Sequence, residues 1–163
     1  MFIKKIILGS ANVNVLYGLK KNILKTNEFR SLLNLAFKTG VKTIDTSPVY
    51  GQSEEIIGLS KKNFRVITKI PKIPTNIKLN DIEKWINNRI KNSERKLKGK
   101  KIYGVLIQNA EILLTLKGQK IFDTLLLLQK NGHFKKIGVS IYSFKTLERI
   151  VEKLKIDFVQ LPY

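Results

Sequence analysis

The sequence predicts an α/β fold of six βα units, and three observations predict it. Six short apolar runs recur along the 163 residues, amphipathic segments with helical spacing stand between them, and the alternation runs from end to end without a low-complexity linker or internal repeat. Short apolar runs separated by helices suit parallel strands buried on both faces. With 43% hydrophobic residues the chain can bury one sizeable core, and residues 1–163 are expected to form a single domain.

Each element has its own signal. The first strand, Lys5 to Leu8, ends in Ile6-Ile7-Leu8, a run far too short for the core of a signal peptide. Phe29, Leu32, Leu33, Ala36 and Phe37 share one face of the helix that follows, with Thr26 or Asn27 as N-cap and Gly40 just past its end. The second strand is Lys42 to Asp45. Ser53, Glu54 and Glu55 open a short helix whose positive end favours carboxylates. The third strand is Arg65 to Ile70, and Asn80 with Glu83 reads as a capping box heading a long helix that contains Trp85, Ile86 and Ile90. After the fourth strand, Ile102 to Ile107, a helix from Gly118 to Asn131 should bury Ile121, Phe122, Leu125 and Leu128 and stop at Gly132. The fifth strand is Lys136 to Val139. Ser143 then precedes a helix with Leu147, Ile150, Val151 and Leu154 on one face, and Phe158 to Leu161 is the sixth strand. All strands but the first are expected to be parallel and buried.

Composition narrows the function. The absence of cysteine excludes a disulfide framework, a thiolate metal site and a cysteine nucleophile, and fits a reducing cytoplasm. No apolar stretch approaches the roughly 20 residues of a membrane span. The net charge of +19, from 31 Lys and Arg against 12 Asp and Glu, would favour polyanions. The excess is mostly lysine spread thinly along the chain, which reads first as a solvated basic surface and second as a nucleic-acid footprint. Recognisable nucleic-acid motifs and interleaved aromatic platforms are lacking.

Six strands in βα order fit an open doubly wound sheet or part of an eight-stranded barrel, and pattern does not choose between them. No G-x-G-x-x-G turn follows the first strand and no Walker-type loop occurs, so the ordinary dinucleotide and P-loop readings lack their physical basis. Polar groups gather instead at four strand ends: Asp45-Thr46-Ser47-Pro48-Val49-Tyr50-Gly51, Thr68-Lys69, Gln108-Asn109 and Ser140. Taken singly, Asp45 reads as a turn residue, Tyr50 as a packing aromatic, Lys69 as a snorkelling surface lysine and Gln108 as a loop polar group. His133, the one histidine, follows the Gly132 helix stop and is expected to be exposed. Trp85, Tyr142 and Tyr163 read as packing residues.

Together these residues resemble the aldo-keto reductase superfamily. Gly40-Val41-Lys42-Thr43-Ile44-Asp45-Thr46-Ser47-Pro48-Val49-Tyr50-Gly51-Gln52-Ser53-Glu54 is similar to its G-x-x-x-x-D-T-x-x-x-Y-G-x-S-E signature, supported by Leu8-Gly9-Ser10, Ile137-Gly138-Val139-Ser140 and Val159-Gln160-Leu161-Pro162-Tyr163. The resemblance implies an incomplete (β/α)8 TIM barrel of six parallel βα units and NADP(H)-dependent reduction of an aldehyde or ketone, sugar-related substrates included. It implies Tyr50 as the general acid, Lys69 as the cation that stabilises its phenolate, and Asp45 as the group that holds the ammonium charged and aimed. Gln108 stands where most members have a histidine and can still donate a hydrogen bond to the carbonyl. Ser140 and Gln160 would contact the nicotinamide carboxamide, while Ile141 replaces the asparagine that commonly follows the serine.

The family's cofactor phosphates bind after strands seven and eight, to which nothing here corresponds. The expectation is therefore a truncated member lacking the last two βα units, with two unpaired sheet edges. The expected partner is a small carbonyl substrate, with no specific nucleic acid, no membrane and no metal. The rival readings are an inactive remnant, an aldolase using Lys69 as a Schiff-base nucleophile, and a basic nucleic-acid-binding protein.

Overall fold

The computed structural model describes residues 6–16 and 23–162. Lys5 and Tyr163 lie outside the described residues. The elements run β1 (Ile7–Gly9), α1 (Thr26–Lys38), β2 (Thr43–Asp45), α2 (Ser53–Leu59), β3 (Arg65–Ile70), α3 (Ile82–Lys96), β4 (Ile102–Ile107), α4 (Leu116–Lys130), β5 (Phe134–Ser140), α5 (Phe144–Val151) and β6 (Phe158–Gln160). The strands follow one another in sheet order β1-β2-β3-β4-β5-β6, alternating with helices, as in an incomplete (β/α) barrel.

The chain forms two compact units: Met1–Thr68 with Asn92–Ile102, and Lys69–Lys91 with Tyr103–Tyr163. In the first, β1 pairs with β2 in parallel, Gly9 opposite Asp45, and β2 with β3, Asp45 opposite Ile67. Its core contains Phe29 and Leu33 of α1, Ile44 of β2, Ile56 and Ile57 of α2, Phe64, Val66 and Leu97, all buried. Phe37 meets Phe64 edge-on, with ring centroids 5.3 Å apart. In the second, Val105, Leu106 and Ile107 of β4, Ile121, Phe122, Leu125 and Leu128 of α4, and Ile137 and Val139 of β5 are buried. β5 pairs with β6 in parallel, Gly138 opposite Phe158.

The third and fourth strands keep their expected bounds, and the first, second, fifth and sixth shift at their ends. β6 is half-exposed along its length rather than buried, since its pairing is to β5 alone among the described strands. The expected N-cap of α1 moves back to Lys25, whose N–H is accepted by Glu28 Oε2 at 2.7 Å. Asn80 and Glu83 do not box the head of α3. A 3-10 turn over Leu79–Asp81 leads into Ile82, and the Glu83 carboxylate instead pairs with Lys120 at 2.8 Å. α4 starts earlier than Gly118 because Thr115 caps it, accepting from the Gly118 N–H at 3.2 Å. Val151, expected on the buried face of α5, is 52% exposed at the helix end, and Tyr142, expected to pack, is 83% exposed.

Candidate active site

In the first unit the sequence from β2 to α2 builds a tight loop. Asp45 closes β2, and its carbonyl accepts both the backbone N–H and the hydroxyl of Ser10, each at 3.0 Å. Thr46 N–H continues the ladder to Ile67 O at 2.8 Å. The chain then turns: Tyr50 N–H donates to Ser47 O and Ser53 N–H to Tyr50 O, both at 3.0 Å. A hydrogen bond between the buried hydroxyls of Thr46 and Ser53, 2.9 Å apart, clasps the two ends of this loop together.

Tyr50 sits inside that loop and is only 4% exposed. The residue after it must be glycine: Gly51 has φ +53°, and a Cβ there would come within 2.8 Å of Val13 O. Asn14, itself at φ 57°, adds a bond from its Nδ2 to Gln52 Oε1 at 3.1 Å and one to Thr26 Oγ1 at 2.9 Å.

Beyond Asp45 and Tyr50, the first unit buries a polar cluster that sequence reasoning missed. Glu54, placed by the sequence in a helix-opening turn, is buried, and its Oε1 accepts from Thr68 Oγ1 at 2.7 Å. Burial pushes its carboxyl above the usual carboxylate range, partly opposed by Thr68, Ser93 and Lys96. The signal was present in the Thr46, Ser53 and Glu54 of the quoted motif, which had no chemical task there.

In the second unit Lys69 is the penultimate residue of β3 and 4% exposed, directly after the fully buried Thr68. Gln108, just past β4, is half-buried, with its N–H donated to Ile70 O at 3.1 Å. Ser140 ends β5 and Gln160 ends β6, and the two are register partners. Gln108 and Ser140 line one cleft of about 210 Å³ with Asn109, Ala110, Glu111, Ile141, Tyr142 and Ser143. Ile141 is buried and its N–H donates to Gln160 O at 2.9 Å, so its backbone donor is spent within the sheet.

The hydroxyls of Ser140, Tyr142 and Ser143 and the amides of Gln108 and Asn109 suit the neutral carboxamide end of a nicotinamide. The cleft's one charged lining residue is Glu111, so the donor set fits that end of the cofactor rather than its phosphates. His133 follows Gly132, which has φ +84°, and is half-exposed. Among the described residues no group of three His, Cys, Asp or Glu side chains could hold a metal ion, and no helix is long and apolar enough to cross a membrane.

A family model described as the aldo/keto reductase family matches residues 5–163. Solved structures share the fold. A Pseudomonas aeruginosa protein described as an aldo-keto reductase superposes with a TM-score of 0.74 at 22% identity, covering 96% of this chain and 62% of that one. The aldo-keto reductase AKR11C1 from Bacillus halodurans, in its holo form, gives 0.74 at 13% identity, covering 98% and 53%. The glycerol dehydrogenase AKR11B4 from Gluconobacter oxydans gives 0.65 at 23%, covering 96% and 50%. The chain thus spans between half and just over three fifths of these relatives. No curated protein matches it. The match over nearly every residue, with the βα order of the fold, makes the chain a member of the aldo/keto reductase family.

Proposed function

We propose that this chain carries the carbonyl-reducing chemistry of its family: reduction of a small aldehyde or ketone with NADPH, with Tyr50 as the proton donor. The observation that carries the reading is the buried, clasped Tyr50 loop directly after Asp45, for a phenol held this way gives up its orientational entropy before any substrate arrives. When bound, the nicotinamide supplies the hydride. Tyr50 donates its phenolic proton to the carbonyl oxygen, so that carbonyl, hydride and proton together leave as the alcohol. The Lys69 ammonium stabilises the phenolate left behind, and Asp45 orients the ammonium. Gln108 donates a hydrogen bond that aligns the carbonyl, and Ser140 and Gln160 hold the carboxamide at the β5 and β6 ends. A chain without cysteine suits a reducing, cytoplasmic setting.

Titration with NADPH, followed by quenching of protein fluorescence at low and moderate salt, tests the reading. Saturable binding that survives moderate salt, retained in Tyr50→Phe while reduction of a panel of carbonyls is lost, is the expected result. Binding that vanishes with salt would reduce it to nonspecific attraction to the +19 charge. Borohydride trapping of Lys69 by a carbonyl substrate would replace it with Schiff-base chemistry.

A further inference from the structure

Between α1 and α2 the first unit opens a cleft of about 480 Å³ to which the proposed chemistry gives no task, a volume within the roughly 300–1,000 Å³ of small-molecule sites. Leu33 and Ile56, both buried, and Leu59, 52% exposed, supply its apolar wall. Arg30 and Asn34 line it from α1, three residues before Leu33 and one after it, and so on one helical face. Ser60, Lys61 and Lys62 line it from the turn that ends α2.

Three cations therefore share a cleft that no carboxylate lines. The acids of α1 and α2 are engaged elsewhere: Glu28 Oε2 accepts the Lys25 N–H at 2.7 Å, Glu54 is buried against Thr68, and Glu55 pairs with Lys96 at 3.4 Å. The turn after α2 is held in place by its own bonds. Lys100 Nζ donates to Ser60 O at 2.8 Å and to Lys62 O at 2.9 Å, so two carbonyls that would repel an anion are occupied by a cation. The Lys62 N–H donates to Ser60 Oγ at 3.2 Å, which leaves the Ser60 hydroxyl hydrogen to donate. Lys62 Nζ stands 5.7 Å from the centre of the Phe37 ring, within cation–π range.

We propose that this cleft binds a phosphate monoester with an apolar body, the dianion meeting Arg30, Lys61 and Lys62 and the body lying on Leu33, Ile56 and Leu59. A guanidinium fork and two ammoniums match a doubly charged tetrahedral head better than a single carboxylate, and Asn34 and Ser60 can donate to its remaining oxygens. The site lies wholly within the first unit and does not depend on the reading of Tyr50.

Calorimetric titration of the 163-residue chain with phenyl phosphate at moderate salt, beside inorganic phosphate, tests this. Phenyl phosphate should bind saturably at one site, and more tightly than inorganic phosphate. Lys61→Ala combined with Lys62→Ala should weaken phenyl phosphate by about tenfold or more. Leu59→Ser should weaken it by about threefold and leave inorganic phosphate unchanged. None of the three is a core residue, so the variants keep the fold. Lys145→Ala combined with Lys153→Ala, the same change of charge in the second unit, should leave binding in place. Equal weakening by the two double variants would make binding a response to the net charge of +19 and overturn the proposal. Equal affinity for phenyl phosphate and inorganic phosphate would leave the apolar wall without a role and overturn it too, as would the absence of saturable binding.

Discussion

In the first unit the loop that carries Tyr50 is fastened by side chains, whereas in the second the strand ends that carry Gln108, Ser140 and Gln160 are fastened by backbone. Thr46, Ser53, Asn14 and Glu54 each spend a side-chain hydrogen bond on the Tyr50 loop or the helix that follows it. Gln108 is held by its N–H to Ile70, and Ser140 and Gln160 by strand pairing, with their side chains half-exposed. The two arrangements suit different tasks. A proton donor has to be aimed in advance, while side chains that grip a ligand can be ordered as it arrives, at an entropic cost.

The largest expected effect comes from the proposed proton donor itself. Tyr50→Phe should lower carbonyl reduction by about 10²–10⁴-fold in steady-state assays, with NADPH affinity retained. A smaller loss would mean that the fastening serves packing rather than chemistry. Gly138→Ala tests the backbone-held side. A Cβ there would meet Phe158 O at 2.6 Å and the Phe158 ring at 2.8 Å, so the β5–β6 pair must part, at a cost of about 2–3 kcal/mol in urea denaturation. Ser53→Ala removes the hydroxyl clasp and should cost about 1–2 kcal/mol, because Thr46 is left buried with its partner gone. Ser140→Ala should leave stability unchanged and weaken NADPH binding by about fivefold, the effect of one hydrogen bond, in the same fluorescence titration.

The smallest effects separate the units by sign. Burial raises the Glu54 pKa, so above the ordinary carboxylate range the folded state binds more protons than the unfolded one. Relative to Glu54→Gln, the parent should therefore gain stability as pH falls from neutral toward the unfolded value. Asp157 behaves oppositely. Its partial burial would raise its pKa, but the hydrogen bonds from Lys136, the Ile137 N–H and Gln129 outweigh that and lower it. Its contribution is present above the ordinary aspartate value and lost as pH falls through the lowered one, which denaturation of Asp157→Asn against the parent at descending pH would read.

Much of this was legible in the sequence, and what escaped it escaped for physical reasons. The runs Arg65–Ile70 and Ile102–Ile107 became strands with the expected bounds, since each buries every residue but one, Arg65 in the first and Tyr103 in the second. Gly118, expected at the start of the helix, lies inside α4, where a Cβ would come within 2.0 Å of Ile112 O and only glycine allows the approach. Asp45, Tyr50, Lys69, Gln108, Ser140 and Gln160 were singled out through their family spacing, and their proposed roles rest on that resemblance. Glu54 was visible as a letter but not as a buried group, because its first-turn position predicts solvent and only the three-dimensional approach of Thr68 removes it.

The buried polar cluster around Glu54, the hydroxyl clasp included, also bears on how the proposed chemistry could be moved to another scaffold. Its parts come from separate stretches: Thr46 to Glu54, then Thr68, then Ser93. A graft of the contiguous Asp45-to-Glu54 segment would carry the proposed proton donor but not the hydroxyls of Thr68 and Ser93 that face Glu54, and would import a buried acid with nothing to meet it. What can be transplanted is therefore a discontinuous cassette, and its minimal edition spans three segments.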